Sequence, residues 1–150
     1  MTTAVTRPHT VTARINTPDI APAPSTYTAT VYKNTVSNGR SSYQHHHPLA
    51  EATRQDGSPL RLVLHASVRI RNHEAAAGAV FDVGNHQCAD DNGQTWPGDI
   101  HSVSVGDVIK ITCPDHWIVH LSVDPTGFSA VPEPTHLVPL AGSSAAPRRR

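Results

Sequence analysis

The residues best suited to chemistry are the two cysteines of the chain and the histidines that stand beside them. Cys113 and His116 are separated by two residues, and His86 and Cys88 form a second short pair upstream. Structural zinc is held by thiolate and imidazole ligands, often supplied as two short-range pairs on different turns. One hypothesis is therefore a zinc site of Cys88, Cys113, His116 and His86. The other is a hairpin turn with histidines nearby, because a chain with 11 histidines brings some of them close to a cysteine by composition alone.

No motif of a familiar catalytic class accompanies these residues. The sequence has no G-x-S-x-G elbow, no P-loop, no G-x-G-x-x-G and no H-E-x-x-H. Asp115 and His116 stand beside Cys113 and could orient a thiolate nucleophile, but nothing else in the sequence supports such a site. The sequence therefore favours a protein that is not an enzyme and has no cofactor, with zinc as the alternative.

Charge favours a protein partner. The chain carries 12 basic and 12 acidic residues, so its formal net charge is zero. Basic residues concentrate in 33–71 and aspartates in 82–124, and no basic stripe interleaved with aromatic residues is present. Nucleic acid is the alternative partner, and Arg61, Arg69 and Arg71 are the residues expected to contact it or a protein.

The sequence also indicates a cellular compartment. No apolar run approaches the roughly 18 residues that a membrane helix needs. The N-terminal stretch lacks the continuous apolar segment of a secretory signal. Two cysteines are too few for a disulfide scaffold. We therefore expect a cytosolic protein without a membrane partner.

Two proline-rich stretches bound the predicted domain. Residues 1–24 are rich in Thr, Ala and Pro, and "PEPTHLVPLAGSSAAPRRR" over 132–150 has a similar character. Such segments bury too little apolar surface to offset the entropy of ordering. We expect a disordered arm over 1–24, one domain over 25–131 and a disordered tail over 132–150, within which "HLVPL" could dock as a short extended piece.

Hydrophobic periodicity predicts four strands and one helix. The strand candidates are "STYTATVYKNTV", "SPLRLVLHASVRI", "VSVGDVIKITC" and "HWIVHLSV". "NHEAAAGAVFDVGN" has an Asn72 cap, an alanine-rich middle and a Gly84-Asn85 pair that can end a helix in a left-handed conformation. The order β, β, α, β, β predicts an α+β fold in which a mainly antiparallel sheet of about four strands packs on one short helix.

The last two predicted strands form a hairpin around the Pro114-Asp115 turn, which is short enough for antiparallel pairing. Successive side chains of a strand point to opposite faces. The face expected to be buried carries Trp117, Val119 and Leu121. His116 and His120 are then expected to face outward, or toward a metal ion if Cys88 comes near.

The "SVSVGDVI" box at 102–109 predicts a turn into a buried strand. Gly106 permits a positive φ there, and Asp107 can accept hydrogen bonds from local backbone. An alanine-rich helix and the loop "CADDNGQTWPGD" precede this box, and "GFSAV" follows it. This pattern over 72–131 resembles a family of small uncharacterised proteins of actinobacteria and their phages and plasmids. The resemblance implies ancestry in mobile genetic elements and no particular activity. It also implies a location in the cytosol of the bacterial host, with the virion as the alternative location.

The inferences together favour a non-enzymatic binding or accessory protein of an actinobacterial mobile element. The first alternative is a zinc-stabilised domain or small metalloenzyme that uses the Cys/His set. The second is a virion structural or decoration protein, since a β-rich body with extended arms suits assembly.

Overall fold

The computed structural model describes residues 25–37 and 39–140. The predicted N-terminal arm over 1–24 and residues 141–150 of the predicted tail lie outside the described residues. Within those described, no helix has the length and apolar character needed to span a membrane.

Six strands and one helix make up the described chain. The helix α1 is His73–Gly84, and the strands are β1 Thr26–Asn34, β2 Leu49–Glu51, β3 Leu62–His65, β4 Val108–Thr112, β5 Ile118–Val123 and β6 Phe128–Val131. The α+β prediction is confirmed, with more strands than the expected four. Strands β2 and β6, of three and four residues, are absent from the prediction.

The sheet is antiparallel throughout, and β1 organises it. The strand order is β2-β1-β4-β5-β6. Because β1 has nine residues, one of its edges accommodates two short strands end to end. Its N-terminal half pairs with β3 and its C-terminal end with β2. The other edge of β1 pairs with β4, and β4 continues into the predicted hairpin with β5.

Helix α1 begins and ends where local hydrogen bonds replace the missing helical ones. The side chain of Asn72 accepts from the amide of Ala75 at 2.8 Å, as predicted for the N-cap. At the C-terminus the amide of Gln87 donates to the carbonyl of Asp82 and the amide of His86 to that of Val83, which is a Schellman motif. The left-handed residue is His86, with φ 63°, and not the Gly84-Asn85 pair that the sequence suggested.

Gly84 is needed for packing. A Cβ at this position would lie 2.2 Å from Val103 Cγ2, so only glycine lets the end of α1 approach the segment that leads into β4. The main core lies between α1 and one side of the sheet, here called the helix face. Buried side chains alternate regularly along β1, with Tyr27, Ala29 and Val31 on the helix face.

The prediction that His120 faces outward is wrong. Its side chain does alternate away from the helix face, but it is only 3% exposed. The opposite side of the sheet, the far face, has its own small cluster of Tyr43, Leu49 and Val108, with Tyr32 and Val131 against it. His120 stands across from Val131 in β6 and 6.5 Å from the ring of Tyr32, so this second layer covers it. His116 is exposed, as expected.

Residues 136–138, in the stretch assigned to the C-terminal tail, lie beside β2. The amide of Leu49 donates to the carbonyl of His136 at 2.9 Å, and the amide of Val138 donates to the carbonyl of Leu49 at 2.8 Å. The short extended piece suggested by "HLVPL" therefore supplies hydrogen-bond partners to the outer edge of β2.

Candidate binding groove

The predicted zinc ligands occupy different parts of the fold. Cys113 is buried and lines a small cavity of about 330 Å³ together with exposed His116. Cys88 is exposed and lines a larger groove, and His86 sits in the cap of α1. Among residues 25–37 and 39–140, no group of three or more His, Cys, Asp or Glu side chains is arranged to hold a metal ion.

Local hydrogen bonds account for the "CPDHW" stretch. The amide of Cys113 donates to the carbonyl of Trp117, and the amide of His116 donates to the carbonyl of Cys113, both at 2.8 Å. His116 adopts a φ of 73°, which closes the turn between β4 and β5. The close spacing of Cys113 and His116 therefore serves a hairpin turn.

The predicted structural role of Gly106 and Asp107 agrees with their contacts. Gly106 has a φ of 97°, and a Cβ there would lie 2.2 Å from Ser37 Oγ. Asp107 forms a buried ion pair with Lys33 and accepts from the amides of Asn34 at 2.8 Å and Ser104 at 2.9 Å.

Burial raises the pKa of Asp107 above its usual value, although the Lys33 ammonium and the backbone donors act in the opposite direction. The pair lines a cavity of about 440 Å³. Lys33 also donates to the carbonyl of Ser102 at 2.6 Å, so two of its three protons are engaged within the fold. This network joins the end of β1 to the start of β4.

The three candidate arginines are all exposed. Arg61 precedes β3, and its carbonyl accepts from Gln94 Nε2 at 2.8 Å. Arg71 directly precedes the Asn72 cap. Of the three, Arg69 alone lines the large groove.

The large groove has a volume of about 830 Å³. It runs between one side of α1, the loop after α1 and the turn that joins β5 to β6. Its apolar lining comprises Leu64, Ile70, Ala75, Ala79, Phe81, Val83, Ala89, Val123, Pro125 and Phe128. The groove exists because α1 packs over β1, β3 and β4 and leaves the helix face of β6 partly uncovered.

The loop wall of the groove is fixed to β3 by two aspartates. The Asp90 carboxylate accepts from the amides of Val63, Asn92 and Gln94 at 2.7 to 2.9 Å. The Asp91 carboxylate accepts from the amide of His65 at 2.5 Å. These bonds cover the outer edge of β3 and hold Cys88 and Asp91 at the groove.

The opposite wall is held by Asp124. Its carboxylate accepts from the hydroxyls of Ser122 at 2.8 Å and Ser129 at 2.5 Å. Its amide donates to the carbonyl of Gly127 at 3.0 Å, and Gly127 has a φ of 83°. The turn is therefore held by hydrogen bonds to both strands that it connects, β5 and β6.

Acidic side chains dominate the charge of the groove. Among the described lining residues, the acidic ones are Asp82 on α1, Asp91 in the loop and Asp124 in the turn, and Arg69 is the single basic one. Three negative charges and one positive charge leave a net charge of −2 around an apolar floor. Such a groove attracts cationic partners and repels phosphate.

This groove was not predicted from the sequence, because its walls come from three segments that are far apart along the chain. One local signal was present: Gly78 stands in the middle of an alanine-rich helix. A Cβ on Gly78 would meet no heavy atom within 4 Å outside its own stretch of helix. Packing inside the fold therefore does not explain why a glycine stands at this position.

Comparison with protein-family models, with curated protein sequences and with solved structures finds no match. The resemblance of residues 72–131 to small actinobacterial and phage proteins therefore stays a prediction.

Proposed function

We propose that this protein is a non-enzymatic binding module that holds a segment of a partner protein in the groove beside α1. The observation that carries the proposal is the combination of an apolar floor with an acidic rim in one fixed groove of about 830 Å³. Concave, largely apolar sites with a few placed polar groups are the usual form of binding sites in proteins.

The charge of the groove favours protein over nucleic acid. Asp82, Asp91 and Asp124 would repel a phosphate backbone, whereas lysine or arginine side chains of a protein would be attracted. Arg61 and Arg71, the other two arginines expected to contact a nucleic acid, do not line the groove.

The groove is better suited to binding than to catalysis. Cys88 is the one thiol among its described lining residues, and no histidine is among them. A thiol nucleophile ordinarily needs an adjacent base that a third group orients. On the sequence resemblance, the partner would be a protein of the same phage or plasmid.

Selection from a displayed library of random peptides of about 16 residues, a length at which an isolated helix begins to be stable, tests the proposal. The target is the full chain, and each enriched pool is assayed on two tryptophan variants. Gly78→Trp fills the groove from the α1 side. Gly98→Trp is the matched control, because a Cβ there also has no heavy atom within 4 Å and Gly98 does not line the groove.

We expect enriched pools that bind the wild type and Gly98→Trp and lose binding to Gly78→Trp. Thermal melting of both variants establishes that each is folded. Pools that bind Gly78→Trp as well as the wild type would place the binding surface elsewhere, and a selection without enrichment would overturn the proposal.

A further inference from the structure

We infer that the segment bound in the groove is an amphipathic helix of a partner protein, with aliphatic residues on one face and basic residues along its borders. This inference rests on the proposed binding function and specifies the chemistry of the partner. In the complex, the partner helix would lie beside α1 and cover the part of the helix face that α1 leaves open.

The edge of the sheet leaves part of the helix face open beside α1. The strand order β2-β1-β4-β5-β6 gives five strand positions across the sheet. Strands are spaced by about 4.8 Å, and a helix with its side chains is roughly 10 Å wide, so one helix covers about two strands. Helix α1 packs over β1, β3 and β4, and the helix-face side chains of β5 are buried as well. The open part of this face is therefore at β6, where Phe128 and Ala130 are only partly buried. The apolar face of a sheet is normally covered by another layer of secondary structure, and in an α+β fold that layer is helical.

The side of α1 that faces the groove suits a closely packed helix. Its lining residues there are small: Ala75, Gly78 and Ala79. Glycine destabilises a helix interior relative to alanine. Apart from its own stretch of helix, the described fold places no heavy atom within 4 Å of a Cβ on Gly78. Small side chains at a contact allow two helix axes to approach at the short end of the usual 8–10 Å range.

The rim supplies charge complementarity to such a helix. Asp82 and Asp124 stand on opposite sides of the groove, so basic residues on both borders of the partner helix would meet a carboxylate. A second copy of this chain is a poor occupant. If it presented its own α1, that helix would bring Glu74 and Asp82 and no basic residue in its last turn.

An extended segment that adds to the sheet is also disfavoured. Strand β6 is at the edge, and no described strand pairs with its outer side. It has only four residues and is followed directly by Pro132, which has no amide hydrogen. Short edges next to proline are those that natural sheets use to prevent strand addition.

The test analyses peptides from the random display library that bind the wild type and Gly98→Trp but not Gly78→Trp. We expect apolar residues at i, i+3 or i+4 and i+7, a net positive charge, and a helical circular dichroism signal that increases on binding. A proline in the middle of such a peptide should weaken binding by roughly tenfold or more, since it breaks the helix, whereas the same residue at the first helical position should be tolerated.

Charge is tested on the protein side with Asp82→Lys. We expect roughly tenfold weaker binding of these peptides, while the exposed Asp99→Lys outside the groove serves as the matched control and should change affinity little. Groove-dependent peptides that are acidic, or that bind in an extended form, would overturn the helix inference and leave the binding function standing. A selection that yields no groove-dependent peptide would overturn both.

Discussion

At the scale of single residues, the two glycines of α1 have opposite surroundings. Gly78 faces open space in the groove, whereas Gly84 touches Val103 so closely that a Cβ would lie 2.2 Å from it. Both lie within the helix. The fold alone therefore does not explain the glycine at position 78, whereas it requires the glycine at position 84.

This contrast predicts opposite effects of the same substitution. Gly78→Ala should raise the free energy of unfolding by about 0.5–1 kcal/mol, because alanine is the better helix former and fits without contact. Gly84→Ala should lower it by about 1–3 kcal/mol through overpacking against Val103. Urea denaturation of both variants measures the difference. Destabilisation by Gly78→Ala would mean that the space beside α1 is not open.

The buried pair of Lys33 and Asp107 is a second feature at this scale. Lys33→Met leaves the Asp107 carboxylate buried without its cation, which should lower the free energy of unfolding by about 3–5 kcal/mol at neutral pH. Lys110→Met is a matched control, since Lys110 is a half-buried lysine on the far face of β4.

The decrease in the free energy of unfolding caused by Lys33→Met should depend on pH. Burial already raises the pKa of Asp107, and removal of the cation raises it further. A carboxyl group whose pKa is higher in the folded state contributes stability below its unfolded pKa and loses it as the pH rises through the folded pKa. The deficit relative to wild type should therefore be smaller near pH 4 than near pH 7. Urea denaturation at both pH values tests this, and an equal deficit would contradict it.

At the scale of elements, the sequence predicted those with strong local signals. The Asn72 cap, the alternation of β1 and the Pro114-Asp115 turn each depend on neighbours along the chain, and each appears as expected. The burial of His120 was not predictable in this way. It depends on Tyr32 and on β6, which approach from distant parts of the sequence to cover the far face.

The binding groove escaped prediction for the same reason. Its walls come from α1, from the loop held by Asp90 and Asp91, and from the turn held by Asp124. Sequence spacing instead drew attention to Cys113 and His116, whose proximity is explained by a hairpin turn.

The extended piece beside β2 gives a prediction at this scale. Val138→Pro removes the amide that donates to the carbonyl of Leu49, which should lower the free energy of unfolding by about 1 kcal/mol. Hydrogen exchange of the Leu49 amide, which donates to His136, should become faster. Thr135→Pro, outside this pair of hydrogen bonds, is the control. Unchanged exchange at Leu49 would show that the pairing does not protect β2.

At the scale of the whole molecule, the sheet has three outer edges, at β2, β3 and β6, and the described residues cover only two of them. Residues 136–138 cover β2, and the Asp90–Asp91 loop covers β3. Strand β6 has no described neighbour on its outer side and borders the groove. The neutral chain thus concentrates an apolar floor, an acidic rim and an open edge in one region, and there we expect a cationic partner helix to bind.

The most direct test of this account is hydrogen–deuterium exchange of the full chain with and without a peptide obtained by the display selection. We predict that protection on binding concentrates in the groove segments, namely residues 75–82, 88–91 and 124–128. Residues 28–30 and 110–112, whose outward side chains lie on the far face, should exchange as in the free protein. Protection of the far face with unchanged groove segments would contradict the assignment of the groove as the binding site.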